Sequence, residues 1–183
     1  MAAKHDLEKL FALSAVEILT VVQRNNRLLM AVKGGVAQEH LSRYLTSLVR
    51  EKRIVKFGPI DEDGKPDFWV IYNDRKFLLE CKNIQKTLRK GEMTVDFMRT
   101  RYAKTVGPEG RFYKSTEFHI LAACLFNQTG QWKFKFIPTR RLGKNSNYKG
   151  RLDNKVSLGE SKNYFKYWRT DLLEALQLVG QGG

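Results

Sequence analysis

The chain has 183 residues with 42% apolar side chains, 33 Lys and Arg against 19 Asp and Glu, and a formal charge of +14. It is long enough for one domain with a real core and too apolar for general disorder. The charge excess favours a polyanionic partner without specifying a fold.

The first residues hold no continuous apolar run of the signal-peptide kind, and the most apolar stretch, Leu10 to Val22, is interrupted by Glu17. Cys81 and Cys124 are too few for a disulfide framework. A cytoplasmic protein with reduced, buried thiols and no membrane partner is expected.

Leu7, Leu10, Phe11, Ala15, Ile18, Leu19 and Val22 recur at three- and four-residue steps. They predict one amphipathic helix from Asp6 as N-cap to Arg24, its stripe facing a core. A second helix is predicted after Gly34-Gly35, with Val36, Leu41, Leu45, Leu48 and Val49 inward and Gln38, Glu39, His40 and Arg43 on its early turns. Arg53 to Phe57 then reads as a strand, followed by the charged loop Asp61-Glu62-Asp63-Gly64-Lys65.

Phe68 to Tyr72 and Lys76 to Lys82 are two apolar strands around Asn73-Asp74-Arg75, a tight hairpin signal. With Asn73 and Asp74 at the tip, Tyr72 pairs with Arg75 and Asp67 falls opposite Glu80. Directly opposed residues share a sheet face. Lys82, two residues past Glu80, projects to the same face.

Beyond Asn83 the chain turns basic and irregular, and Thr94 to Arg101 fits strand or helix equally. Glu117 to Phe126 predicts a strongly apolar strand, Asn127 to Gln131 a turn, and Trp132 to Ile137 an alternating strand. Trp132, Phe134 and Phe136 would face the core, with Lys133 and Lys135 opposite. Lys144 to Lys162 reads as a long basic loop, and Thr170 to Leu176 as a short closing helix. The order predicts an α/β (α+β) fold, a mixed sheet flanked by helices, in one domain spanning residues 1–183. Its parts are an N-terminal helix (1–33), a core (34–137) and a basic loop with closing helix (138–183).

Two acids and a lysine converging on one sheet face need an explanation, because like charges held about 4–6 Å apart repel. A divalent cation supplies one. Mg2+ takes oxygen ligands, one or two carboxylates among them, and can polarise a scissile phosphate and acidify a water. Lys82 beside that water could orient it, deprotonate it or offset charge on the phosphorane. The main-chain carbonyl of Cys81 lies between Glu80 and Lys82 as a further hard ligand.

Pro66-Asp67, then twelve residues, then Glu80-Cys81-Lys82 resembles the PD-(D/E)XK nuclease superfamily. The stretch from Gly35 through Glu39 to Phe57 looks like that superfamily's acid-bearing helix and first strand. Arg99-Thr100-Arg101, Arg111-Phe112-Tyr113 and Phe118 to Leu125 are similar to type II restriction-endonuclease-like members. The resemblance implies a restriction-endonuclease-like core with a four-stranded mixed sheet. It also implies hydrolysis of phosphodiester bonds in double-stranded DNA with Mg2+, Mn2+ substituting, and a homodimer. Asp67, Glu80, Lys82 and Glu39 would be catalytic, with Asp67, Glu80, Glu39 and the Cys81 carbonyl on the metal.

Residues 131–170 hold 11 basic and 2 acidic side chains with Trp132, Tyr148, Tyr164, Tyr167 and Trp168 interleaved. Such a stretch can neutralise phosphates and stack bases. Arg140, Arg141, Lys144, Lys149 and Arg151 are therefore expected to hold DNA, and Arg99, Arg101, Lys104, Arg111 and Lys114 form a second set. A junction resolvase, a repair nuclease and a non-catalytic nucleic-acid-binding module are the competing readings, and a ribosome-associated or structural basic protein would explain the charge but not the convergent acids. His5, His40 and His119 lack zinc-ligand spacing, no serine has an acid–histidine setting, and Gly34-Gly35 lacks a Walker ending, so ATP is not expected.

Overall fold

A computed structural model of the chain describes residues 5–96, 98–99 and 107–180. The chain divides into two compact units, Met1–Val36 and Ala37–Gly183. The long helix α3 (Asn26–Arg50) runs across that division.

The first unit holds α1 (Asp6–Phe11), α2 (Ala15–Arg24) and the start of α3. The single helix expected over 6–24 is two, because Ala12 turns left-handed and Ser14 opens a new capping box with Glu17. His5, not Asp6, caps α1. Their apolar stripe is not core: neither helix buries a residue.

α3 passes through Gly34-Gly35 instead of starting after them. From Ala37 onward its inward stripe is Ala37, Leu41, Leu45 and Leu48. In the second unit a five-stranded mixed sheet follows, with β1 (Lys56–Pro59), β2 (Phe68–Tyr72), β3 (Arg75–Asn83), β5 (Ile120–Cys124) and β6 (Phe134–Pro138) in the order β1-β2-β3-β5-β6. Only β3 and β5 pair in parallel. The first strand thus lies a few residues later than the sequence suggests, and the five strands are those read along the chain, one more than the four-stranded core that the resemblance implies.

The β2–β3 hairpin has the expected register, Phe68 opposite Leu79 and Tyr72 opposite Arg75. Asn73 and Asp74 both take positive φ, 46° and 56°, the two-residue turn whose twist matches the strands. Gly58 lies opposite Trp69, and a Cβ there would stand 2.7 Å from the indole ring.

Both sheet faces are covered. Val70, Leu79, Ile120, Ala122 and Phe136 pack with α3 and with α5 (Leu172–Gly180). On the other face Leu121, Ala123 and Ile137 pack with Leu152, Val156, Tyr164 and Trp168. The stretch read as a basic loop is therefore largely the second face's cover. It carries β7 (Lys155–Ser157), which pairs antiparallel with β4 (Thr94–Asp96) and settles the open 94–101 segment as strand at its start. The turn after β5 closes as a one-turn helix, α4 (Phe126–Thr129). Among the described residues no helix is long and apolar enough to cross a membrane.

Candidate active site

Alternation along β3 sends Phe77, Leu79 and Cys81 into the α3 side of the core, and turns Glu80 and Lys82 the other way. Asp67 precedes β2, its backbone held by a hydrogen bond from Ile60 N to its carbonyl at 2.9 Å. Asp67, Glu80 and Lys82 line one cleft of about 640 Å³, together with Gln38, Asp96, Arg99 and Tyr113. The loop Asp61–Lys65 forms part of its rim.

Glu80 is 2% exposed. Its Oε1 accepts from Lys82 Nζ at 2.7 Å and from the Tyr113 hydroxyl at 2.7 Å. Its Oε2 is buried with no partner among the described residues. An unpartnered buried carboxylate oxygen is costly and marks a place where a cation or water belongs. Asp67 Oδ2 accepts from Cys81 N at 2.7 Å, and Oδ1 accepts from Gln38 Nε2 at 2.6 Å.

Burial, and next the Glu80 charge, push the Asp67 carboxyl up to about 6. Burial works against the Lys82 ammonium, but the Glu80 carboxylate outweighs it and holds Lys82 above the ordinary lysine range. Burial and then Glu80 likewise raise the Tyr113 phenol, which keeps its proton and donates it. Arg99 lies over the Tyr113 ring at 4.7 Å and donates to Glu117 at 2.6 Å and to Gly64 O at 3.2 Å.

Glu39 requires a correction. Its carboxylate is 59% exposed and paired with Arg43 at 2.8 Å, one turn along α3. Gln38 takes the place expected of it, because residue 38 shares the inward stripe with Leu41, Leu45 and Leu48. Sequence reasoning also missed Asp96, and it placed Tyr113 only within the Arg111-Phe112-Tyr113 resemblance without a role at the site.

The basic residues expected on DNA separate into two kinds. Arg151 is 8% exposed and donates to Phe112 O at 2.9 Å. Arg140 donates to Leu178 O, and Arg141 lies 4.2 Å over the Tyr167 ring. These three, with Arg99, are built into the fold, which corrects their reading as an open phosphate-facing set. Arg111, Lys114, Lys144 and Lys149 stand exposed without an acidic partner among the described residues. Arg101 and Lys104 lie outside the described residues.

No family model and no curated protein matches the chain. Among solved structures it is similar to a bacterial homing endonuclease, I-Ssp6803I, with a TM-score of 0.55 and 16% identity over 82% of this chain and 96% of that one. The fold is endonuclease-like. That likeness is of backbone arrangement, and the chemistry of this cleft has to be read from its own side chains.

Among the described residues, no group of three or more His, Cys, Asp and Glu side chains is set to hold a metal ion. Two carboxylates are present, and Mg2+ commonly uses one or two with water and substrate oxygens completing its shell. The unpartnered Glu80 Oε2 and the raised Asp67 carboxyl fit that requirement.

Proposed function

We propose that the chain is a metal-dependent DNA endonuclease of the PD-(D/E)XK kind, hydrolysing phosphodiester bonds in duplex DNA with Mg2+, or Mn2+ in its place. One observation carries the reading. A buried glutamate, clamped on one oxygen by a lysine and a tyrosine, leaves its other oxygen open beside a second carboxylate that burial keeps hard to ionise.

Asp67 and Glu80 would hold the ion, with the Cys81 carbonyl as the further oxygen ligand. Bound there, Mg2+ supplies positive charge against the phosphate and a more acidic water. Lys82, held protonated, is suited to offset negative charge growing on the phosphorane rather than to take up a proton. Gln38 and Tyr113 keep the two carboxylates in register by hydrogen bonds. Exposed Arg111, Lys114, Lys144 and Lys149 would meet backbone phosphates. A restriction-like choice of a short duplex site is the finer reading, and action as a homodimer accompanies it.

The test is digestion of unmethylated supercoiled plasmid, linear phage DNA and a four-way junction with the full-length chain and Mg2+. Discrete ends at one short motif are expected, abolished by chelation and by Asp67→Ala or Glu80→Ala with DNA binding retained. Cleavage of the junction alone replaces the restriction reading by a resolvase. Binding without cleavage under either metal overturns the nuclease.

A further inference from the structure

We infer that residues 5–36 form a self-association surface on which a second copy of this chain docks. The inference gives the homodimer proposed above its contact surface, and it rests on these helices and not on the cleft chemistry. Among the described residues, ten of the twelve large apolar side chains that stand exposed lie between Leu7 and Val32. Leu10 and Val16 are each 73% exposed and Leu19 is 65% exposed. Scattered exposed apolar residues are ordinary, but these are concentrated in one short span.

Helices α1 and α2 are well specified locally and have no core. Each opens with a complete capping box, and Ala15 N donates to Glu8 Oε1 at 2.9 Å across the turn between them. Yet neither buries a residue. Helices of six and ten residues are marginal in water without an apolar face to cover. Summed over these ten residues the exposed surface is on the order of 1,000 Å², where a single apolar patch on a monomer is typically a few hundred Å². A partner in a standard interface contributes about 800 Å². The area thus matches what a stable dimer needs.

Charge points to a copy of the same chain as the occupant. Residues 5–36 hold three acids and four bases, against 16 acids and 28 bases in 37–183. A near-neutral apolar face is poorly suited to a polyanion, and it does not repel its own copy. Asp6, Glu8, Lys9 and Glu17 come first with a net charge of −2, and Arg24, Arg27 and Lys33 follow with +3. A two-fold axis that lays the span antiparallel to its copy sets each acidic half against the other's basic half, which is the self-complementarity an isologous interface needs.

Sedimentation of the full-length chain over about 1–100 µM tests this, with hydrogen exchange read at the same concentrations. A dimer is expected, with amides of residues 7–32 gaining protection as it forms. Val16→Glu combined with Leu19→Glu should weaken dimerisation at least 100-fold while the thermal transition of the remainder stays in place. A wild-type chain monomeric throughout overturns the inference, as does a dimer that the double variant leaves intact. Protection gained outside 7–32 overturns it too. Protection of 7–32 only on adding duplex DNA assigns the face to DNA instead.

Discussion

Tyr113 and Glu80, 33 residues apart in sequence, meet through a 2.7 Å hydrogen bond in which the phenol donates to Glu80 Oε1. Lys82 occupies the same oxygen at 2.7 Å. Two donors on one oxygen fix the carboxylate's rotation and leave Oε2 as the oxygen available to a ligand. Glu80 is thereby oriented before any ligand arrives, and orientation made in advance costs nothing at the moment of binding.

Tyr113→Phe removes that donor and keeps the ring over which Arg99 lies. The Mg2+ concentration giving half-maximal cleavage should rise about 10- to 100-fold, the usual cost of losing a hydrogen bond to a metal ligand. DNA binding measured without Mg2+ should be unchanged. An unaltered Mg2+ requirement in an active Tyr113→Phe enzyme removes Tyr113 from the positioning role.

Asp67 links the site to stability. Its carboxyl is raised from 3.8 to about 6 by burial and the Glu80 charge. A folded-state value above the unfolded one means stability is fully present below about 3.8 and is lost as pH rises through about 6. At neutral pH the ionised Asp67 therefore costs up to about 3 kcal/mol. Asp67→Asn should be the more stable protein at pH 7.5, since an amide can still accept from Cys81 N and pair with a turned Gln38 amide. Mg2+ should raise the wild-type melting temperature at that pH and leave Asp67→Asn unmoved. Equal stability of the two proteins at pH 7.5 without metal contradicts this account.

Gln38 and Glu39 divide sharply in what they should do. Gln38→Ala removes the 2.6 Å donor on Asp67 and should lower cleavage about 10-fold or more. Glu39→Ala breaks only an exposed pair with Arg43, worth a few tenths of a kcal/mol, and should leave cleavage within about twofold. Loss of activity in Glu39→Ala with Gln38→Ala unaffected restores the acid to the site.

That distinction was legible in the sequence, since positions 38, 41, 45 and 48 follow helical phase and 39 lies about 100° outside it. The hairpin register was legible for a similar reason: the Asn73-Asp74 tip leaves one pairing, and period two then brings Asp67, Glu80 and Lys82 to one place. Tyr113 was not, because its approach depends on the segment between β4 and β5, which no periodicity governs. Leu152, Val156 and Trp168 were hidden by the charges between them, since irregular chain can cover a sheet face without a repeating apolar pattern. The break in the first helix at Ala12 left only Ser14 and Glu17 as a capping signal inside a continuous helical stripe.

Gly34 and Gly35 lie inside α3 with nothing within 4 Å of where a Cβ would stand, and neither takes positive φ. Each Gly→Ala replacement should stabilise the protein by about 0.5–1 kcal/mol, chiefly by restricting the unfolded chain. Denaturant midpoints measure this directly. A lower midpoint for both variants contradicts an open helix surface at that point.

The basic side chains should sort by stability against salt dependence. Arg151 is buried with its guanidinium on Phe112 O, and hydrogen bonds from charged donors contribute about 1.5–3 kcal/mol. Arg151→Ala should therefore lower the unfolding midpoint, and Arg141→Ala should do so more mildly by losing its place over Tyr167. Lys114, Lys144 and Lys149 are exposed, so their removal should leave the midpoint unchanged. If each meets a phosphate, its loss instead reduces the slope of log K against log salt by about 0.9 on any duplex. A side chain reading a base would behave differently again, costing roughly 1–3 kcal/mol at the preferred site and relaxing its choice there. Paired measurements of midpoint and salt slope for the five substitutions separate these roles. Unchanged slopes for all three lysines remove them from the DNA path, and the contacts then fall to Arg111 and to the basic residues near Arg99.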